Sequence, residues 1–498
     1  MKVLKPAKKW VLGAIGLLLG MLILKIVLFL TAKPKITVDY VAEYNRTSCP
    51  QDYDPNDNAA PYYQKAFDAF VDMPEELPKP YIKWPKDFND TEQTLYEKWF
   101  ISNIPAFEYF REASHKPYYW LEVKSERDNT IAGIIFPELH PFRQLIRALL
   151  WDAKIKAIQG QFQQAFENIL VCYKAGKHKC RPNLLVIEQH VGLRIKQESI
   201  DSALFILKNT NVEGNTLGFL QDTLQSELNN DDYIPSIETE KYFLYDALQR
   251  TFIDNGKGTG RLAWRTGWYY DTLCGKWNNF RKRLYACFAG PTRNEIVEQI
   301  EKALAISVQI KGKTPWQIKN EAYDFFDEIE DINKSNWFLH ILGINQSIFH
   351  SYYETTAQTE ALVAVIAILR YKADTGQLPE TLDELVSSGY LQAVPKDPYS
   401  SSSLVYTPTE DGFKLYSVGK DFSDDGGMIE IVNEAMQMPG FEGTGIIPRI
   451  HSPDIVYWPV KDLTMLRHEF ILKEAERLRA EKDAEGQRKT EEVNQAER

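Results

Sequence analysis

Residues 355–375, TTAQTEALVAVIAILRYKADT, decide how the C-terminal part of this chain folds. Apolar residues such as Leu362, Val365 and Ile366 fall on nearly every face of a helix, so the sequence predicts a helix that the protein buries on all sides. The stretch is too short and too interrupted to cross a membrane. Gly376 stands where a left-handed residue commonly ends a helix.

A second short helix, a connector and two strands follow this helix. Residues 381–384, TLDE, form a capping-box pattern that starts a helix ending near Gly389. Residues 394–398, VPKDP, predict an extended connector, because proline does not continue a helix. Strands are predicted at 403–407 and 413–418, joined by an Asp-Gly turn.

Together these elements predict a small α+β module over residues 355–460. The module resembles the globular domain of the major pseudopilins of type II secretion systems. The resemblance is carried by residues 370–379, Leu382, Leu385, 389–391, 394–398 and 415–421. In a pseudopilin the module directly follows the N-terminal pilin helix and its prepilin peptidase site. This chain lacks that arrangement, so we expect a protein that shares the module and not a pilus subunit.

The resemblance implies a calcium ion in the loop after the last strand, because pseudopilins of this type hold one there. The local residues agree with this chemistry. Asp421, Ser423 and Asp425 alternate, as oxygen ligands do in the first half of a calcium loop. Gly426 permits the sharp turn, but Val432 stands where the closing glutamate of an EF-hand would be.

Two further aspartates belong to the predicted calcium site. Asp424 lies in the same loop, and Asp454 resembles the aspartate that follows the pseudopilin loop. If Asp454 has that role, residues 427–451 are an insertion. The ion would be structural, since its ligands come from one loop and its flank. The alternative is a solvated acidic turn without a metal.

The most apolar stretch of the chain is residues 11–32, VLGAIGLLLGMLILKIVLFLTA, which only Lys25 interrupts. At about 1.5 Å per residue, a helix of this length spans a hydrocarbon core of about 30 Å. More lysines precede the stretch than follow it, which predicts a cytoplasmic N-terminus. We expect an uncleaved signal anchor in residues 1–35, a single pass through the bacterial inner membrane and a periplasmic bulk. The alternative is a cleaved signal peptide.

Residues 36–350 are predicted to be mainly helical, with a Pro-rich and helical region over 36–135 and a helical domain over 136–350. Helices are predicted at 62–71, 90–102, 106–114, 184–207, 217–228, 238–254, 293–308 and 318–342. One hairpin resembles a tetratricopeptide repeat through small and apolar residues at Ala153, Gly160, Phe162, Ala165, Ile169 and Cys172. The resemblance implies stacked helical hairpins, and the alternative is an ordinary helical bundle.

The charge of the chain argues against one class of partner. Its 58 Lys and Arg against 69 Asp and Glu give a net charge of −11, whereas nucleic-acid binding needs a basic face. Five cysteines are too few for a disulfide-built scaffold. Residues 461–498 are dense in charges of both signs and predict a solvated helix that frays into a disordered tail.

No catalytic or cofactor-binding residue stands out. The sequence has no H-E-x-x-H, C-x-x-C, G-x-S-x-G or Rossmann glycine pattern. His178, near Cys172 and Cys180, could hold a metal, but a basic loop after a helix is the simpler interpretation. An aromatic cluster could stack on sugar faces or fill a core; it comprises Trp264, Trp268, Tyr269, Tyr270, Trp277 and Phe280.

The expected fold is mainly α, with an N-terminal transmembrane helix, an extracytoplasmic domain of tetratricopeptide-like hairpins and a small C-terminal pseudopilin-like module. The predicted function is a membrane-anchored scaffold without catalytic activity that binds other envelope proteins, in secretion or pilus-like machinery. The alternative is a cell-envelope glycan-binding protein or glycan hydrolase that uses the aromatic cluster and a carboxylate pair. The predicted partners are the membrane and envelope proteins, and not nucleic acid.

Overall fold

The computed structural model describes residues 16–21, 23, 24, 27, 30–77, 88–230, 233–264, 266, 280–321, 325–342, 347–428, 430–437, 444–451 and 454–460. The chain is mainly helical, at 61%, with a small three-stranded sheet near its C-terminus. The helical fraction therefore agrees with the expectation from the sequence.

Helices fill the N-terminal and central regions. They are α1 (Tyr40–Ser48), α2 (Ala60–Ala69), α3 (Asp90–Ser114), α4 (Leu139–Ile158), α5 (Phe162–Lys179), α6 (Val186–Asn209), α7 (Gly214–Asn229) and α8 (Glu240–Thr251). The later helices are α9 (Phe280–Phe288), α10 (Arg293–Gln309), α11 (Pro315–Asn320), α12 (Phe325–Ser335), α13 (Trp337–Leu342), α14 (Ser347–Thr375) and α15 (Leu382–Ser387). The strands are β1 (Val405–Thr409), β2 (Gly412–Ser417), β3 (Glu430–Gln437), β4 (Thr444–His451) and β5 (Ile455–Trp458).

The predicted membrane anchor is wrong. Of residues 11–32, the structure describes 16–21, 23, 24, 27 and 30–32, and the others lie outside the described residues. In the part of the chain that the structure describes, no helix has both the length and the apolarity that crossing a bilayer requires, about 20 consecutive apolar residues. This finding also overturns the signal-anchor prediction and the single-pass inner-membrane location with a periplasmic bulk.

Two predicted helices, 90–102 and 106–114, are one helix, α3. Pro105 lies inside it and removes one backbone hydrogen bond. The helix continues because Trp99 before the proline and Phe107 after it are both buried in the same core. Tertiary packing therefore outweighs the local preference of proline to end a helix.

A single predicted helix, 318–342, is instead three helices. α11 ends at Asn320, and the backbone becomes extended at Glu321. α13 follows Asn336, whose side-chain oxygen accepts a hydrogen bond from the Leu339 backbone N–H at 3.0 Å. Such local side-chain bonds compete with helix continuation, and apolar periodicity does not register them.

α14 is the helix around which the other elements pack. Residues 361–368 are all buried, as the apolar pattern of the sequence predicts. The helices α6, α7 and α15 and the strands β2 and β5 all contact α14. One hydrophobic core therefore runs from Ala59, through the helical hairpins and α14, to Tyr457 in β5. Ile348 and Phe349, at the start of α14, belong to a second core with α8, α10 and α12.

The hairpin predicted between α4 and α5 is present. Gly160 turns the chain between the two helices with a φ of +77°, a left-handed conformation that favours glycine. Ala153 and Ala165, one on each helix, are completely buried. Small side chains at these positions let the two helices approach closely.

α5 and α6 approach each other at a pair of glycines. A Cβ atom at Gly192 would lie 2.7 Å from the carbonyl oxygen of Gly176, and one at Gly176 would lie 2.9 Å from the carbonyl oxygen of Gly192. Both distances are shorter than real Cβ contacts, and the atoms met are backbone atoms that cannot rotate away. The separation of these two helices thus depends on the absence of side chains.

Two small antiparallel sheets lie in the C-terminal region. The first has the strand order β1-β2-β5, and Thr409 pairs with Gly412 where β1 turns into β2. The second consists of β3 and β4, with Glu430 opposite His451. This hairpin occupies most of residues 427–451, the segment predicted to be an insertion.

We expect Gly192→Ala to lower the free energy of unfolding by about 1–3 kcal/mol, because overpacking would push α5 and α6 apart. Gly214→Ala is the matched control, since Gly214 begins α7 and a Cβ atom there meets nothing within 4 Å. Urea denaturation of the full chain measures both changes. Equal stabilities for the two variants would contradict the close contact.

Candidate functional site

Asp454, the most distant residue of the predicted calcium site, lies against the loop that follows β2. Its side chain is only 1% exposed. Its Oδ2 atom accepts hydrogen bonds from the backbone N–H groups of Gly427 at 2.7 Å and Asp425 at 3.1 Å. Burial raises the pKa of the Asp454 carboxyl, while these two N–H groups lower it. The structure therefore brings Asp454 to the predicted loop across the intervening hairpin.

The other carboxylates of this loop bind groups close to them in sequence. Asp421 accepts from the backbone N–H of Ser423 at 3.1 Å. One oxygen of Asp424 accepts from the backbone N–H of Gly426 and from the hydroxyl of Tyr416, each at 2.9 Å. The bonds from Ser423 and Gly426 cap the loop backbone, and the bond from Tyr416 connects Asp424 to β2.

The described residues do not present calcium with a converged ligand set. Among them, no group of three or more His, Cys, Asp or Glu side chains is placed to hold a metal ion. The chemistry of the residues suits calcium, which prefers oxygen ligands. A calcium ion at Asp421, Ser423, Asp424, Asp425 and Asp454 thus stays a prediction.

A buried ionic group, the Lys179 cluster, consists of Lys179, Glu138, Glu188, Tyr44 and Tyr119. Lys179 is completely buried, and its Nζ atom lies 3.4 Å from Glu138 Oε1 and 3.3 Å from Glu188 Oε1. The same nitrogen lies 4.1 Å from the centre of the Tyr119 ring. The Tyr44 hydroxyl donates a hydrogen bond to Glu188. Burial, with the nearby glutamates, raises the pKa of both tyrosines.

The Lys179 cluster is a structural connection and not a substrate site. The space beside it measures about 10 Å³, which is no larger than one water molecule needs. Its members come from α1, α5, α6, the residue that precedes α4 and the segment after α3. The Lys179 cluster was not predicted from the sequence. Its one indication there is an acidic residue, Glu188, directly after the apolar run 184–187.

His178 is buried in the last turn of α5, and both of its ring nitrogens have partners. Nε2 lies 2.8 Å from the Lys116 carbonyl oxygen, which can only accept, so Nε2 carries the proton. Nδ1 therefore accepts from the Tyr63 hydroxyl at 2.9 Å. Burial lowers the pKa of His178 to about 4. The ring is thus neutral and closed to a metal, and the sequence-based interpretation of His178 as part of a basic loop is also wrong.

A groove runs beside α14, where the helical hairpins meet the C-terminal module. It consists of two adjoining cavities of about 450 Å³ and about 300 Å³, and both are lined by Thr356, Glu360 and Lys396. α6 and α7 contribute Lys196 and Gln225, and the connector contributes residues 391–396. We call this feature the α14 groove. No single predicted domain forms it, so it could not be predicted from the sequence.

The α14 groove carries charges of both signs, on a half-buried glutamate and a buried lysine. The Glu360 carboxylate accepts a hydrogen bond from the backbone N–H of Lys396, and burial raises the pKa of Glu360 to about 6. Lys196 is 4% exposed and places its Nζ atom 5.0 Å from the centre of the Tyr173 ring. With the amides and hydroxyls that also line it, the groove offers hydrogen-bond donors and acceptors along its length.

The aromatic cluster predicted from the sequence is described only in part. Trp264 and Phe280 meet edge to face with ring centres 5.8 Å apart, and the Arg283 guanidinium lies 5.6 Å from the Trp264 ring. Trp264 packs against the second hydrophobic core. Four further members, Trp268, Tyr269, Tyr270 and Trp277, lie outside the described residues.

Comparison with models of known protein families, with curated proteins and with solved structures found no match to this chain. The resemblances to pseudopilins and to tetratricopeptide hairpins therefore stay predictions that rest on the residues themselves.

The lowered pKa of His178 predicts a pH-dependent stability. In the unfolded chain the His178 ring binds a proton near pH 6.5, whereas in the folded chain it does so only near pH 4. The contribution of neutral His178 to the free energy of unfolding is therefore fully present above about pH 6.5 and is lost as the pH drops toward about 4. The loss is roughly 3 kcal/mol. In His178→Gln, whose amide donates to Lys116 and accepts from Tyr63, this loss should disappear. Urea denaturation across this pH range tests it, with exposed His140→Gln as the control, and an unchanged pH profile in His178→Gln would refute it.

We expect Asp454→Ala to lower the free energy of unfolding by about 2 kcal/mol, because two backbone N–H groups lose their acceptor. Asp421→Ala, at an exposed position with one local hydrogen bond, should change it by less than about 0.5 kcal/mol. Repeating both measurements with millimolar calcium tests the ion. A calcium-dependent rise in wild-type stability that Asp454→Ala abolishes would support the predicted site, whereas no effect of calcium would contradict it.

Proposed function

We propose that this chain is a protein-interaction scaffold that binds an extended segment of a partner protein in the α14 groove. The observation that carries the proposal is the joint construction of the groove. Side chains of α6, α7 and α14 form it together with the connector, residues 391–396. Because one hydrophobic core underlies all these elements, the groove is a preformed surface and not a gap between independent domains.

The chemistry of the α14 groove suits a polypeptide backbone. An extended chain presents alternating N–H and C=O groups and binds where donors and acceptors line a groove. Gln225 and Thr359 supply such groups, while Leu228 and Val363 supply apolar contact. The buried Lys196 and the half-buried Glu360 then add charge complementarity that orients the bound segment.

The proposed partners are proteins of secretion or pilus-like machinery. Support for this class comes from the resemblance of residues 355–460 to pseudopilins, whose globular domains dock on one another. The alternative, a glycan-binding protein or hydrolase, has no observation in its favour among the described residues. Trp264 packs against the second hydrophobic core, and its ring centre lies 5.6 Å from the Arg283 guanidinium.

Photocrosslinking in intact cells tests the proposal. A photoreactive benzoylphenylalanine replaces exposed Gln392, which lines the groove, in the full chain. A second change, Gln225→Trp, fills the groove from α7. Its matched control is Asp222→Trp, on the same helix but exposed and outside the groove. Thermal unfolding of each variant verifies that it is folded.

We expect position 392 to form discrete crosslinked adducts whose yield drops roughly tenfold with Gln225→Trp, since losing one well-packed anchor costs at least 1.4 kcal/mol. Asp222→Trp should leave the yield unchanged. Mass spectrometry of the adducts identifies the partner. Adducts that persist in Gln225→Trp would show that the partner binds elsewhere, and an absence of adducts in all chains would refute the proposal.

A further inference from the structure

A second cavity, unrelated to the α14 groove, lies between α3, α4 and α6. It has a volume of about 560 Å³, within the range of small-molecule sites in proteins. Three aromatic side chains are among its lining residues: the half-buried Phe70, which directly follows α2, and Trp99 of α3 and Trp151 of α4, which are 5% and 1% exposed. We call it the Trp151 cavity. Nothing in the proposed scaffold function uses it.

The aromatic residues that line the Trp151 cavity are held in place by their surroundings. The ring centres of Trp99 and Trp151 are 6.2 Å apart, and those of Phe70 and Trp99 are 6.3 Å apart. Trp99 Nε1 donates to the Val71 carbonyl oxygen at 2.8 Å, and Asn103 bonds both the N–H and the carbonyl of Val71. The buried tryptophans therefore hold the Phe70 ring in place for a ligand, which lowers the entropy lost on binding.

The rim of the Trp151 cavity combines basic and acidic side chains from α4 and α6. Both carboxylates of the rim already have partners. Glu198 pairs with Arg194 at 3.1 Å, and Asp201 accepts a hydrogen bond from Gln358. Arg147 is exposed at the rim and makes no hydrogen bond or ion pair with any described residue. Lys154, seven residues further along the same face of α4, also lines the cavity.

Three basic and two acidic side chains line this cavity, so its net charge is positive, and the exposed Arg147 lies at the rim of a cavity that the half-buried Phe70 ring also lines. A guanidinium group binds a carboxylate with two parallel hydrogen bonds, and aromatic rings bind flat apolar groups by offset or edge contacts. We propose that the Trp151 cavity binds a small aromatic carboxylate, with its ring against the half-buried Phe70 and its carboxylate on Arg147.

Two probes of equal shape test this proposal on the full chain by isothermal titration calorimetry. Indole-3-acetate carries the carboxylate, and indole-3-acetamide has the same ring and a neutral amide. We expect the acetate to bind roughly tenfold more tightly than the acetamide, because a charge-assisted pair is worth at least about 1.5 kcal/mol. Arg147→Gln should reduce acetate affinity to that of the acetamide and leave acetamide affinity unchanged.

Arg143→Gln is the matched control, since Arg143 is exposed on the same helix but lies outside the cavity lining. This variant should bind both probes as the wild type does. The proposal is overturned if neither probe binds, if both bind equally, or if Arg147→Gln binds the acetate as tightly as the wild type. None of these outcomes depends on whether the α14 groove binds a partner.

Discussion

The structure depends on one constraint, which is that residues 361–368 of α14 have no face suited to water. Buried residues follow one another without a break from Ala361 to Ile368, so protein must surround every side of the helix. Each large aliphatic side chain gains about 1.5–3 kcal/mol from burial only when that cover is complete. The helical hairpins and the sheet therefore need each other through α14. The groove beside the helix exists because two sets of covering elements meet there.

The Lys179 cluster works by a different principle. Removing a lysine and two glutamates from water costs free energy, and their mutual attraction offsets that cost only when the geometry is good. An apolar contact tolerates small shifts, whereas these ions require their partners at fixed distances. We therefore regard the cluster as the device that fixes the register of α1, α5 and α6. Apolar burial supplies the stability of the same region, since Tyr63 and Phe142 are buried beside it.

Sequence reasoning succeeded where a single local pattern determines the outcome. The burial of α14, the left-handed Gly376 that ends it and the turn at Gly160 all follow from a few adjacent residues. Prediction from the sequence failed where residues far apart in the chain determine the local structure. Pro105 stays inside a helix because of packing on both sides, and Glu188 is buried because Lys179 arrives from another helix. The apolar composition of residues 11–32 was likewise not sufficient to establish a membrane span.

The candidate sites likewise differ in whether they could be predicted from the sequence. The sequence placed Asp454 in one group with the loop after β2, and the hydrogen bonds to Asp425 and Gly427 show that they do meet. The α14 groove and the Trp151 cavity could not be predicted, because each takes its lining from helices and loops far apart in the chain. Only the packing of those elements creates the concave surface.

The bond from Gly427 to Asp454 also has an evolutionary consequence. It pins together the two ends of the segment that contains β3 and β4, so the chain leaves the module and returns to it at one point. When the ends of a segment are already joined, doubling its length costs only about 0.6 kcal/mol of closure entropy. This position can accept segments of different length, or a whole additional domain, while the sheet and α14 stay as they are.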